Sequence, residues 1–204
     1  DLMPLLKNPE DQRVQSADFG RYDTEQFAND LLGFNDGRPL SDEQYALVHN
    51  SGDTMRWLAS HDVKFEPIYS RQSFEKDGRH VFWGGLTLAA ENEGVGLFDM
   101  ELAAVTRLGG TVRYNSAVTG LIIQNERVVG VKVGGEELYA DAVILASGGF
   151  EANDALRVKH MGPDWAAAKV RGTPHNNGDG LVMALEAGAA EYGLYSGCHA
   201  TPMD

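Results

Sequence analysis

The 204-residue sequence is 43% hydrophobic and has a formal net charge of −13, from 30 acidic and 17 basic residues. A chain of this length forms one large domain or two small ones. The acidic balance excludes nucleic-acid binding, which needs clustered Lys and Arg, and it disfavours docking on an anionic membrane.

Cysteine content and hydropathy narrow the class of protein further. Cys198 is the single cysteine, so an internal disulfide and a zinc site with a Cys-x-x-Cys pair are excluded, and we expect no metal site. No apolar run reaches the ~18 residues of a membrane span. These features predict a cytoplasmic protein. Because the chain begins with Asp1 rather than Met, we interpret it as an internal segment of a longer protein.

The elements predicted before residue 93 are mainly helical. Ser41 and Gln44 form a Ser-x-x-Gln capping box, which marks the start of a long helix. Thr24 is predicted to cap a shorter one. The predicted elements are an irregular segment over 1 to 22 with a short helix near Met3, helices from Thr24 to Leu32 and from Ser41 to His61, and a loop over 67 to 93.

The elements predicted after residue 93 mix helices and strands. Three short strands separated by the tight turns Asn125-Glu126 and Gly134-Gly135 predict an antiparallel meander. The stretch from Asp141 to Ala146 is apolar without alternation, which predicts a strand buried on both faces. The full set is a helix over 98 to 108, strands over 111 to 114, 118 to 124, 127 to 133, 137 to 140 and 141 to 146, and helices over 152 to 160 and 181 to 187.

A buried strand that ends in small residues is the most specific local feature. Ala146, Ser147, Gly148 and Gly149 end the last predicted strand, where backbone amides can donate to a ligand's phosphate or ribityl oxygens. Open α/β sheets bind ligands at such strand ends. A tight turn without a ligand explains the glycine pair equally well on its own.

A second candidate site is the run Asn176-Asn-Gly-Asp-Gly180 at a predicted helix N-terminus. Free amides and the helix dipole favour anions there. Asp179 has the alternative role of a helix cap, which the isolated motif favours.

Two polar loops are candidates for the substrate side. Arg171, Thr173 and His175 precede the Gly-Asp-Gly turn. An Arg is suited to bidentate carboxylate binding, and a surface role is equally compatible with this spacing. His199 can donate a proton or a hydrogen bond. Cys198 is predicted to be a buried apolar residue rather than a nucleophile. A Gly-x-Gly-x-x-Gly fingerprint, the usual cradle of a dinucleotide pyrophosphate, does not occur after a predicted strand.

The motifs together resemble the flavoproteins of the fumarate reductase and succinate dehydrogenase type, and among them the tricarballylate dehydrogenase branch. The matching stretches are collinear and cover nearly the whole chain. They are residues 18 to 27, Arg56-Trp-Leu58, residues 63 to 69, Phe82-Trp-Gly-Gly85, residues 143 to 153, Lys169-Val-Arg-Gly-Thr173, residues 178 to 185 and Ser196-Gly-Cys-His199.

The resemblance implies a mixed fold, α+β or α/β, that forms part of a FAD-binding domain. This part has a three-stranded antiparallel meander plus parallel strands and carries a helical, substrate-facing portion. Residues 1 to 92 would be the substrate-facing portion, 93 to 153 the middle of the FAD-binding domain, and 154 to 204 the start of a capping portion with a flavin-contacting loop. The FAD cradle would precede Asp1, and the catalytic arginine and a second substrate histidine would follow Asp204.

The resemblance also implies roles for individual residues. Val118 would lie near the adenine, Ala146, Ser147, Gly148 and Gly149 would line the dinucleotide, and Asp179 would approach the flavin. His199 matches the histidine of the family's His-Pro-Thr motif, which reads His-Ala-Thr here, and would bind a substrate carboxylate with Arg171 and Thr173.

The implied reaction is oxidation or reduction of a carbon–carbon bond in a small polycarboxylate, such as tricarballylate to cis-aconitate, with hydride transfer to flavin N5. Two alternatives stay open: a dehydrogenase of an apolar, ketosteroid-like substrate, and a folded domain without activity of its own. We expect the isolated chain to be inactive. Family analogy also implies an electron-transfer partner protein.

Overall fold

The structure, a computed structural model, describes residues 2–35 and 37–198. The chain divides into two compact units, Asp1–Val112 and Arg113–Asp204. This boundary lies further along the chain than the predicted division after residue 92. The roles assigned to the three sequence segments stay predictions.

The first unit combines helices with two small sheets. Both sheets are antiparallel pairs, β1 with β4 and β2 with β3. The elements are a 3-10 helix (Met3–Leu5), α1 (Gln12–Ser16), α2 (Thr24–Gly33), α3 (Asp42–Ser60), β1 (Phe65–Pro67), α4 (Tyr69–Gln72), β2 (Ser73–Lys76), β3 (Arg79–Phe82), β4 (Leu88–Ala90) and α5 (Glu93–Arg107). Its core consists of buried apolar side chains: Leu6, Val14, Leu40, Val48, Val63, Phe65, Phe82, Ala90 and Ala104.

Local capping explains where the early helices begin. The predicted capping box of α3 is confirmed, since the Gln44 amide donates to Ser41 Oγ at 3.3 Å and the Ser41 amide donates to Gln44 Oε1 at 3.0 Å. The prediction that Thr24 caps α2 is wrong by one residue. Asp23 has the extended backbone that a cap requires, and its carboxylate accepts from the Gln26 amide at 3.0 Å.

The predicted loop over 67 to 93 is wrong, because it contains α4 and three strands. The missed signal is the dipeptide Asp77-Gly78, both residues of which have positive φ, +52° and +76°. Such a pair closes a two-residue hairpin turn, and here it joins Lys76 to its strand partner Arg79.

The second unit contains the meander that the sequence predicts. Strands β5 (Val118–Gln124), β6 (Arg127–Val133) and β7 (Glu136–Tyr139) form an antiparallel sheet in the order β5-β6-β7. It is followed by α6 (Asp154–Met161), a 3-10 helix (Pro163–Ala167) and α7 (Asp179–Glu186), which packs against β5. The mixed fold class is therefore confirmed.

Two predicted strands of this unit do not form. Residues 111 to 114 and 141 to 146 are neither helix nor strand, and Ile144 is 89% exposed rather than buried on two faces. A strand is stabilised by hydrogen bonds to a neighbouring strand, and no described strand lies beside either segment. Every pairing between the named strands is antiparallel. Among the described residues, parallel pairing is limited to two isolated bridges, Leu6 with Phe65 and Asp18 with Val81.

Two negative findings apply to residues 2–35 and 37–198. Their helices are too short or too polar to cross a bilayer. The same residues contain no cluster of three or more His, Cys, Asp or Glu side chains placed to bind a metal ion.

Candidate functional site

The two glycine-containing segments that the sequence singles out lie against each other in the second unit. Four hydrogen bonds join them across the turn that precedes α7, of which the one between Asn176 and Glu151 is described below. The Gly178 amide donates to the Gly149 carbonyl at 3.0 Å, and the Ala152 amide donates to the Asn176 carbonyl at 2.9 Å. The side-chain amide of Asn153 donates to the Asn177 carbonyl at 2.9 Å.

Helix α7 begins on a glycine because the chain turns sharply there. Gly178 has φ +82°, and an added Cβ would lie 2.8 Å from Leu156 Cδ1 and 2.9 Å from Phe150 Cβ. No side chain caps the helix. Asp179 is the first helical residue and is exposed, so its interpretation as a cap is wrong.

The first turn of α7 packs directly on the segment after the meander. An added Cβ on Gly180 would lie 2.1 Å from Ser147 Oγ, so only glycine permits this approach. The contact places the start of α7 beside Ser147. Both belong to the segments for which the sequence predicts cofactor binding.

Unpaired amides are concentrated at this contact. In the part of the chain that the structure describes, the backbone N–H groups of residues 146 to 149 donate to no protein acceptor. The first turn of α7 adds the N–H groups that every uncapped helix leaves free. Unpaired amides beside a helix N-terminus are suited to bind anionic oxygens such as those of a dinucleotide.

A carboxylate borders the same glycines. Glu151 Oε1 accepts from Asn176 Nδ2 at 2.6 Å, and Glu151 Oε2 lies 2.6 Å from the position of an added Cβ on Gly149. Asn176 Oδ1 lies 2.9 Å from the equivalent position on Gly148. The Glu151 carboxylate would repel a phosphate placed next to it. It can accept hydrogen bonds from hydroxyl groups, such as those of a ribityl chain.

The other predicted site residues are more scattered. Val118 begins β5 and is 37% exposed. Arg171 and Thr173 are exposed in the loop before α7, where Thr173 Oγ1 accepts from the His175 amide at 3.2 Å. His199 lies outside the described residues. Cys198 is exposed, so its predicted burial is wrong.

A buried arginine behind the turn was missed by the sequence reasoning. Arg157 is 5% exposed and donates to the carbonyls of Glu151 (2.5 Å), Trp165 (3.0 Å) and Ala168 (3.0 Å) and to Asp154 Oδ1 (2.7 Å). Its position in a short, polar helix gives no signal of burial. The capping role of Asn153, by contrast, can be predicted from the sequence, because Asn directly before a helix is a preferred N-cap.

A family model described as FAD binding domain matches residues 7–195, which is most of the chain. Two curated relatives are named 3-oxosteroid 1-dehydrogenase. The one from Mycolicibacterium smegmatis is 37% identical over 92 residues, which cover 40% of this chain and 16% of the relative. The one from Mycobacterium tuberculosis is 32% identical over 124 residues, which cover 52% of this chain and 22% of the relative.

A solved structure has the same fold. The crystal structure of 3-ketosteroid-Δ4-(5α)-dehydrogenase from Rhodococcus jostii RHA1, in complex with 4-androstene-3,17-dione, matches with a TM-score of 0.65 at 20% identity. The match covers 86% of this chain and 43% of that one, so the chain spans less than half the length of this neighbour.

These comparisons correct the branch inferred from the sequence. By their names, the two relatives act on 3-oxosteroids and not on tricarballylate. The broader flavoprotein assignment is confirmed by the family model. The chain belongs to the FAD binding domain family.

Proposed function

We propose that the contact between residues 146 to 149 and the start of α7 forms part of a FAD site, with Val118 near the adenine and Asp179 toward the flavin. The observation that carries this proposal is the meeting of unpaired amides at Ser147 and Gly180 in a chain of the FAD binding domain family. Amides from residues 146 to 149 and from α7 would hold oxygens of the dinucleotide. Glu151 would accept a hydroxyl.

We further propose that the whole protein is a FAD-dependent dehydrogenase of a CH–CH bond beside a ketone in an apolar, steroid-like substrate. When bound, FAD supplies the acceptor for the hydride. The residues of this chain would hold and orient the cofactor. Arg171, Thr173 and His199 are the candidates for the substrate side, where they would donate to a carbonyl oxygen.

Two observations favour the steroid-like substrate over a polycarboxylate. The relatives found by sequence are named for 3-oxosteroids. The net charge of −13 repels a tricarboxylate over a long range and leaves a neutral steroid unaffected. An electron-transfer partner protein stays a prediction.

Anaerobic mixing of the FAD-loaded whole protein, of which this chain is a part, with either substrate tests the proposal. We expect a 3-oxosteroid to bleach the visible absorbance band of the oxidised flavin and tricarballylate to leave this band unchanged. Bleaching by tricarballylate alone would support the polycarboxylate alternative. A flavin that responds to neither compound would contradict the proposed dehydrogenase.

A further inference from the structure

Asn153 occupies a singular position between α6 and the turn before α7. Its side-chain oxygen accepts from the Leu156 amide at 3.0 Å and so caps α6, while its side-chain nitrogen donates to the Asn177 carbonyl at 2.9 Å. One carboxamide therefore serves two elements that are far apart in the sequence. The residue is half-buried, which shields both hydrogen bonds from water.

The bond to Asn177 belongs to the set that holds the turn in place. Two other members join backbone groups, Gly178 to Gly149 and Ala152 to Asn176, and no side-chain substitution removes them directly. Two side chains add to these bonds. Asn176 Nδ2 donates to Glu151 Oε1 at 2.6 Å, and the Asn153 amide donates to the Asn177 carbonyl and is the side chain that also caps α6. We infer that Asn153 is a positioning residue, whose amide holds the Asn176–Gly178 turn, and with it the start of α7, against Ser147 and Gly148.

This inference rests on the proposed FAD site and adds a requirement to it: FAD affinity should depend on an amide that does not touch the cofactor. Loss of the amide leaves the turn held by the two backbone bonds and by the Asn176–Glu151 bond alone, so the start of α7 is held less firmly beside residues 146 to 149. Aspartate separates the two roles of Asn153, because it caps a helix as well as asparagine does but cannot donate when ionised.

The test is the FAD dissociation constant of the Asn153→Asp variant, measured by flavin fluorescence from pH 7.5 to pH 4.5. At pH 7.5 we expect binding weaker than that of the unmodified protein by about tenfold, which corresponds to about 1.4 kcal/mol. The ratio of the two constants should shrink as the carboxyl at position 153 becomes protonated in acid, because a protonated carboxyl donates again. A merely structural loss would not be recovered in acid.

Other titratable and charged groups surround this position. Those on the neighbouring elements are Glu151, Asp154, Arg157, His175 and Asp179. The unmodified protein and the Asn153→Asp variant both contain all of these groups. The ratio of their dissociation constants therefore reports the effect of residue 153.

Two further variants complete the design. Asn50→Asp is the matched control, since Asn50 Nδ2 donates to the Ala46 carbonyl at 2.8 Å within α3 of the first unit, and FAD affinity should not change. Asn153→Ser keeps an acceptor for the cap but is too short to reach Asn177, so it should bind weakly at every pH. It also decides the matter if the aspartate variant fails to fold.

The possible failures are distinguishable. If the unmodified protein does not bind FAD, the proposed site fails and the inference fails with it. If the unmodified protein binds FAD and both Asn153 variants bind within twofold of it at pH 7.5, the inference alone is overturned. An affinity loss in Asn153→Asp that is unchanged once the carboxyl at position 153 is protonated would also overturn it.

Discussion

Tyr69 illustrates how a single buried group sets a pH limit on the first unit. Its hydroxyl oxygen is buried and has no hydrogen-bond partner among the described residues. Burial raises the pKa of Tyr69 above its ordinary value. A raised pKa in the folded state gives stability that is present below the unfolded pKa of about 10 and is lost as pH rises past it.

Replacing Tyr69 with Phe should therefore raise the free energy of unfolding at pH 7 by up to about 1 kcal/mol, because an unpaired buried hydroxyl is removed. The variant should also lose less stability between pH 9 and pH 11. Urea unfolding at both ends of this range measures the effect. Tyr139→Phe is the control, since the Tyr139 hydroxyl donates to Glu137 Oε2 at 2.7 Å and its removal should give no gain.

Arg157 is the residue whose loss should be most costly in the second unit. Arg157→Met removes the donor to the Glu151 and Ala168 carbonyls, while the Trp165 carbonyl keeps the Ala168 amide, and it should lower the free energy of unfolding by about 3 kcal/mol. Arg56→Met is the matched control, because Arg56 also pairs with an aspartate three residues earlier. The side chain of Arg56 is 50% exposed, whereas that of Arg157 is 6% exposed. We expect the control to cost less than about 1 kcal/mol. Equal losses in chemical denaturation would show that burial is not the cause.

At the scale of elements, the sequence predicted what depends on neighbours along the chain. The capping box of α3 and the tight turns of the β5-β6-β7 meander are local, and both were predicted correctly. The segment over 141 to 146 was predicted from its apolar composition, but a strand also needs a partner that composition cannot reveal. The candidate site is predicted from its glycines, whereas the connections made by Asn153 and Arg157 depend on contacts that the sequence does not reveal.

The contact between α7 and Ser147 gives a prediction about elements. Gly180→Ala should destabilise the protein by about 1–3 kcal/mol, because its methyl group overlaps Ser147 Oγ. The double variant with Ser147→Ala should recover much of this loss, since Ser147 Cβ lies at a tolerable 3.4 Å from that methyl position. Gly94→Ala in α5 is the control, because an added Cβ there contacts nothing within 4 Å. A double variant no more stable than Gly180→Ala would contradict the packing described.

At the scale of the whole molecule, the two units differ in how they are stabilised. The buried apolar side chains lie mainly in the first unit, while the second has Ile122 and Val133 as its buried large aliphatic residues within the described part. Polar connections from Arg157 and Asn153 therefore carry much of the organisation around the candidate site. A ligand that binds across this site should stabilise the fold by an amount that grows with the logarithm of its concentration divided by its Kd.

The central claim is that the segment after the meander and the start of α7 together bind FAD. Titrating the protein into FAD and recording flavin fluorescence tests it most directly. The account predicts saturable quenching with one FAD per chain, weakened in Gly180→Ala and unchanged in Asn50→Asp. Fluorescence that does not respond to the protein, or quenching that is equally strong in Gly180→Ala, would contradict it.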